Sequence, residues 1–318
     1  MSNIGLILFC DERDDNKRNL FKNILAIIKR LVSSKLSDDA VKKAELYDEL
    51  NIFIIRLPYR VSELKKPSRF KMRRLKKIIK KLCSDYSIER CFFPANLPDV
   101  PDIGLCIRNP FLGHFLYKAL LVNILKMISE KKGKDIRELG VAILHGNEQN
   151  ILYLYMKILS TISKFLTIIT HEKELIEKIA DDIFEETGLA VRVTDNVISG
   201  MEDAQVVVNL TDLCNFNLTK KIKSDASVIN YGSINTDKIK FSGTIINDVD
   251  IILPKRFEEM MGKDIYKFYK RLELAEIILL NKLKIGTCTT CDNVDYSVIE
   301  ELERQFESDG FSLVPVFV

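Results

Sequence analysis

Four groups of residues in this chain have types and spacings that can support chemistry. The first is His145-Gly146-Asn147-Glu148-Gln149-Asn150, where an apolar run, Val141–Leu144, breaks before a long apolar pattern over Ile151–Ile162. Strand, tight turn and helix in that order leave backbone N–H groups free to hold an anion such as pyrophosphate. Laid on G-x-G-x-x-G, the stretch replaces all three glycines, with His145, Asn147 and Asn150. Asparagine tolerates positive φ, so the two asparagines are the milder changes, and Gly146 is placed to take over the turn. Side chains at His145 and Asn147 fill volume that a pyrophosphate needs. That weighs against ordinary NAD or NADP binding, while the N–H groups of Gly146, Asn147, Glu148 and their neighbours still suit an anion. The imidazole at this strand end either meets a ligand or serves only in the turn.

The second group is Thr170-His171-Glu172, one βα unit later. An acid there bonds the adenine ribose of a dinucleotide, or simply opens the next helix, where the dipole favours it. The third is Cys288-Thr289-Thr290-Cys291, a redox pair, half a metal site or two plain thiols. No second C-x-x-C or H-x-x-x-H exists to complete a zinc set, so no metal is expected. The fourth is Lys65–Lys81, which holds ten Lys or Arg and no acid. It reads as a surface for phosphates or another anionic partner, or as the solvated back of a helix whose apolar stripe is Met72, Leu75, Ile78, Ile79 and Leu82. His114 lies in an apolar pattern with no carboxylate beside it in sequence, and is expected to be a satisfied core or interface histidine.

The elements that must position these groups follow from hydrophobic periodicity. Strands are expected at Asn3–Cys10, at Asn51–Leu57 (stopped by Pro58) and at Ile88–Phe93 (stopped by Pro94). Helices are expected through Phe21–Leu31 and Phe70–Tyr86, and Asn96–Pro101 is a proline-punctuated loop. Phe111–Ile128 reads as one buried helix between domains. After Val141–Leu144 and its helix come strands at Phe165–Thr170, Leu189–Val193, Gln205–Leu210 and Ala226–Tyr231. A sixth falls at Gly243–Ile246 or Ile251–Leu253. Helix Glu172–Thr187 stops at Gly188, Gly200–Ala204 is a connection, and Asn217–Lys223 is a small helix. A long returning helix, Phe257–Leu283, and a helix Tyr296–Ser308 complete the chain, whose apolar end Phe311–Val318 docks as an added strand or in an oligomer contact. Repeated βα units with nearly all-apolar strands mean α/β architecture: a doubly wound parallel sheet, Rossmann-like, preceded by a smaller α/β domain.

With 318 residues, two domains are the natural division. The boundaries expected are 1–110, a linking helix 111–137, a Rossmann-like domain 138–256, and a returning helix with tail 257–318. Charge supports the split. Residues 1–137 carry 29 Lys or Arg against 16 Asp or Glu, and residues 138–318 carry 19 against 29. The apolar run Ile4–Cys10 meets Asp11, Glu12 and Arg13 too soon for a secretory signal, and no stretch is clean enough to span a membrane. Seven scattered cysteines suit reduced thiols, so a cytoplasmic protein is expected.

This order of parts resembles the shikimate dehydrogenase and glutamyl-tRNA reductase group, as a degenerate member. Asp203-Ala-Gln-Val-Val-Val-Asn209-Leu-Thr211 is similar to that group's strand ending in Asn-x-Thr, and Ser227-Val-Ile-Asn230-Tyr-Gly232 to the strand that follows. The resemblance implies an NAD(P)-linked oxidoreductase, with Asn209, Thr211, Asn230 and Gly232 joining the loop around a small-molecule or nucleotide ligand in the interdomain cleft. Departures stand beside it. No V-T-x-P-x-K segment supplies the group's lysine, its partner aspartate motif is missing, and neither Cys10 nor Cys91 sits in a reductase nucleophile's context. The alternative is a dehydrogenase-like scaffold without catalysis that binds or assembles, through the basic helix or the apolar tail.

Overall fold

The structure is a computed structural model that describes residues 2–10, 40–64, 68–95, 106–107, 109, 111–146, 149–211, 222–232, 241–285 and 296–315. The helix expected through 21–31, the loop at 96–101, Lys65 and Lys66, most of the helix at 217–223 and Cys288 with Cys291 lie outside them. In chain order the elements are β1 (Ser2–Cys10), β2 (Val41–Tyr47), β3 (Leu50–Arg60), α1 (Val61–Leu64), α2 (Arg69–Asp85), β4 (Arg90–Phe92) and β5 (Cys106–Ile107). Then come α3 (His114–Ala119), α4 (Leu121–Lys132), β6 (Gly140–Leu144), α5 (Gln149–Ile162), β7 (Phe165–Ile169), α6 (Lys173–Thr187) and β8 (Val191–Thr194). The remainder is α7 (Val197–Met201), β9 (Val206–Asn209), β10 (Ser227–Asn230), β11 (Thr244–Ile246), β12 (Ile251–Ile252), α8 (Lys255–Met261), α9 (Arg271–Lys282), α10 (Tyr296–Ser308) and β13 (Ser312–Leu313). They form two compact units, Met1–Gly113 with Leu253–Cys288, and His114–Ile252 with Thr289–Val318. Among the described residues no helix is long and apolar enough to cross a membrane.

The first unit is built on a five-stranded sheet ordered β2-β3-β1-β4-β5, parallel except for the β2–β3 hairpin. Helix α2 starts because Ser68 caps it, its side chain accepting from the Lys71 N–H at 3.3 Å. Its apolar stripe, Met72, Leu75, Ile79 and Leu82, packs with Ile7, Phe53, Ile55 and Phe93. Each such buried aliphatic side chain contributes about 1.5–3 kcal/mol of transfer free energy. Tyr269 ties the later segment to the same sheet, its hydroxyl donating to the Phe92 carbonyl at 2.7 Å and accepting from the Ile7 N–H at 3.1 Å.

Five expectations are corrected. Pro58 does not stop β3, which runs on to Arg60, because the register against β1 shifts between Leu8 and Cys10 and the partner β2 begins opposite Ile55. A proline at such an irregularity removes no ladder bond. The helix over 111–128 is two helices, with Leu120 stepping out of helical geometry between them, and His114 is exposed at the start of α3 rather than buried. The long helix over 257–283 is also two, parted by Gly262 at φ +81°. A short helix over 197–201 runs into the connection expected at Gly200–Ala204; Asn196 caps it, its side chain accepting from the Ile198 and Ser199 N–H groups.

The second unit holds a six-stranded sheet ordered β11-β10-β9-β6-β7-β8, every pair parallel. Read from β8, with the strands renumbered within the unit, that is 3-2-1-4-5-6, the order of a dinucleotide-binding sheet, with its topological switch point between β6 and β9. The central strands β6, β9 and β10 are buried along nearly their whole length, as cover on both faces requires. Of the two candidates for the sixth strand, Thr244–Ile246 takes the sheet edge. Ile251–Ile252 instead pairs antiparallel with Ser312–Leu313, so the apolar end does add a strand.

Candidate functional site

The switch point is where the chemistry-bearing residues of the second unit gather. The ladder continues one residue beyond β6 and β7: the His145 N–H donates to the Ile169 carbonyl at 3.0 Å, and Thr170 to Thr194 at 2.9 Å. That register sets His145 and Thr170 side by side at the strand carboxyl ends. His145 Nδ1 lies 2.9 Å from Thr170 Oγ1, which also accepts from the Glu172 N–H at 3.0 Å. The hydroxyl proton has Nδ1 as its one acceptor among the described residues, an arrangement that suits an imidazole with its own proton on Nε2. Nε2 is buried without a partner among the described residues, in a residue only 8% exposed. Burial holds this imidazole below its ordinary pKa, and the Glu172 charge pulls the other way.

Gly146 answers a different need from the one the turn suggested. Its φ is not in the left-handed region, but a Cβ there would lie 2.5 Å from the Leu210 carbonyl oxygen. The end of β6 therefore passes against the end of β9 at backbone contact distance, and glycine is what permits it. Helix α5 opens at Gln149, just after this crossing, and Gln149 Nε2 donates to Glu172 Oε2 at 3.1 Å. Glu172 is exposed and stands at the cap position of α6 without a side-chain bond to that helix. Asn147 and Glu148 lie outside the described residues.

On the other side of the switch point, Asn209, Thr211, Asn230 and Gly232 also meet. Asn209 Nδ2 donates to Asn230 Oδ1 at 2.8 Å and to the Thr211 carbonyl at 3.1 Å. Asn209 Oδ1 accepts from the Thr211 N–H at 3.2 Å and from its hydroxyl at 2.9 Å. All four hydrogen-bonding positions of that amide are used, in a residue with no exposure. Asn230 passes the chain on, donating to Asn247 Oδ1 at 2.8 Å. A Cβ on Gly232 would sit 1.8 Å from the Thr211 carbonyl oxygen, so the segment after β10 lies directly on the segment after β9. Beside this network Tyr117, Tyr155 and Tyr231 cluster, with the first two ring centroids 4.7 Å and 5.7 Å from that of Tyr231. Tyr117 donates to the Ile246 carbonyl at 2.7 Å.

Sequence reasoning did not single out Thr170 as the histidine's partner, nor Asn247 or the tyrosines. Thr170 could have been found, since a threonine one residue past β7 must lie level with His145 in a parallel register. The tyrosines could not, because Tyr117, Tyr155 and Tyr231 come from three separate elements. Among the described residues no group of three or more His, Cys, Asp or Glu is placed to hold a metal.

No family model matches the chain, and no curated protein matches it. Among solved structures it is similar to the ligand-free 5-ketofructose reductase of Gluconobacter sp. strain CHM43, at 13% identity over 96% of this chain and 99% of that one, with TM-score 0.31. It is also similar to L-tryptophan dehydrogenase from Nostoc punctiforme, at 12% identity over 96% and 82%, TM-score 0.31. A third is quinate dehydrogenase from Corynebacterium glutamicum in complex with NAD, at 12% identity over 72% and 79%, TM-score 0.29.

Proposed function

We propose that the second unit binds a nucleotide at the carboxyl ends of β6 and β7, of the kind an NAD(P)-linked oxidoreductase uses. One observation carries this: at the switch point of a 3-2-1-4-5-6 sheet, the buried Nε2 of His145 has no partner among the described residues. Buried polar groups in folded proteins have partners, and an unpaired one at the crevice where such sheets take ligands asks for a ligand oxygen. Helix α5 opens beside this strand end, and a helix N-terminus favours a phosphate; the exposed Glu172 carboxylate would serve a ribose hydroxyl. The test is thermal unfolding with NAD, NADP and their reduced forms. A ligand at a hundred times its Kd stabilises by about 2.7 kcal/mol. A saturable shift that His145→Phe removes supports the reading, and no shift with any of the four defeats it.

A second reading has its own observation. The amide groups beyond β9 and β10 are satisfied by one another, which favours a dehydrogenase-like scaffold that binds without catalysing. Turnover of candidate substrates in the presence of a bound dinucleotide would set this reading aside.

A further inference from the structure

The first unit carries a feature that the nucleotide reading does not use. Helix α2 presents Arg69, Arg73, Lys76, Lys77 and Lys80 on one continuous side, spanning about 160° at 100° per residue when Arg74 and Lys81 are included. No acidic residue falls within that arc, and the helix's one acid, Asp85, is its last residue. Lys71–Glu63, at 3.5 Å, lies off it. Helix physics opposes this placement. The first turn holds no acid but two cations, against the dipole, and Arg69/Arg73, Arg73/Lys77 and Lys76/Lys80 are like-charge pairs at i,i+4. A surface meant only for solvation is served as well by mixed signs.

From this geometry we infer that α2 docks against the phosphate backbone of a nucleic-acid duplex. Its 17 residues make a rod about 25 Å long, facing on the order of fifteen duplex charges. The apolar stripe is buried against the unit's own sheet, so the helix has no free face to sink into a lipid surface. Phe70, 74% exposed, is the single aromatic on the arc, which gives no ladder of rings for stacking unpaired bases. What remains is charge spaced along a rigid axis, which recognises a regular polyanion without reading sequence.

The experiment uses the full chain and a labelled 20-base-pair DNA duplex, followed by fluorescence anisotropy from 50 to 200 mM salt. Five engaged cations give a slope of log K against log salt of about −4.5, so affinity falls on the order of 500-fold across that range. Arg73→Gln with Lys77→Gln and Lys80→Gln should bring the slope to about −1.8, with circular dichroism unchanged, since all three side chains are exposed. Arg73→Lys with Lys77→Arg should keep the parent slope. Absence of duplex binding at 50 mM salt overturns the proposal. So does a slope that stays near about −4.5 after the triple neutralisation, or binding to anionic vesicles in place of the duplex.

Discussion

At the end of β6 a buried imidazole nitrogen has no partner among the described residues, whereas at the end of β9 every hydrogen-bonding position of Asn209 is used. The same sheet, with the same apolar strands, finishes its two halves in opposite ways. The difference teaches what each residue is kept for. A saturated buried amide holds backbone segments in place, and an unsaturated buried ring keeps a donor in reserve for something else. Identity alone, a histidine here and an asparagine there, does not separate these roles; hydrogen-bond partners do.

Substitutions should break this contrast unequally. The largest effect is expected of Asn209→Leu, which strands Asn230 Oδ1, the Thr211 carbonyl and the Thr211 donors together; about 3–5 kcal/mol of stability should be lost in chemical denaturation. A loss under about 1 kcal/mol would mean the network is slack. Gly146→Ala comes next, at about 2–3 kcal/mol, because its Cβ meets backbone and not a movable side chain. On the open side, His145→Phe should change stability by no more than about 1 kcal/mol, since it removes one hydrogen bond and one unpaired donor together. A large loss there would show that His145 is structural after all.

Acid sharpens the same comparison. Burial favours neutral His145 in the folded chain, so the unfolded chain takes the proton first as pH falls below about 6.5. The stability tied to the neutral ring is present above that value and is lost as pH falls through the lower, folded value. Denaturation midpoints of the parent and His145→Phe should therefore differ by a constant amount above pH ~7.5, and that difference should shift upon acidification as the parent alone loses stability. A pH-independent difference would contradict the burial of the ring. The smallest effect belongs to Glu172→Gln: stability should move by less than about 0.5 kcal/mol. The His145 titration, followed by NMR, should drop further, because the one charge raising it is gone.

The sheet strands of the second unit and its helices α5 and α6 were legible because each is an apolar run or stripe between polar breaks, and Gly188, at φ +78°, stops α6 where expected. Strand β2 was not, although Ala44 and Leu46 alternate with Lys43 and Glu45. Its lysines and glutamate are helix-favouring residues, and pairing with β3 overrides them. Helix breaks at Leu120 and Gly262 escaped because periodicity runs straight through both. In the site, chemistry was legible at single positions, where types and strand ends coincide. The hydrogen-bond partners were not, since they join Asn209 to Asn230 and His145 to Thr170 across register that only the sheet supplies.

The three crossings of the chain between its units bear on how it is made. The segment 253–288, whose Phe257, Phe268 and Tyr269 pack against the first sheet, joins the first unit only after the whole core sheet of the second has been synthesised. At the usual pace of translation, roughly 10 to 30 s separate residue 113 from residue 282 on the ribosome. Through that interval the first sheet has to wait with apolar surface uncovered. The nascent chain is thus a natural client for a holdase, and its soluble yield should depend on elongation speed more than its final stability would suggest.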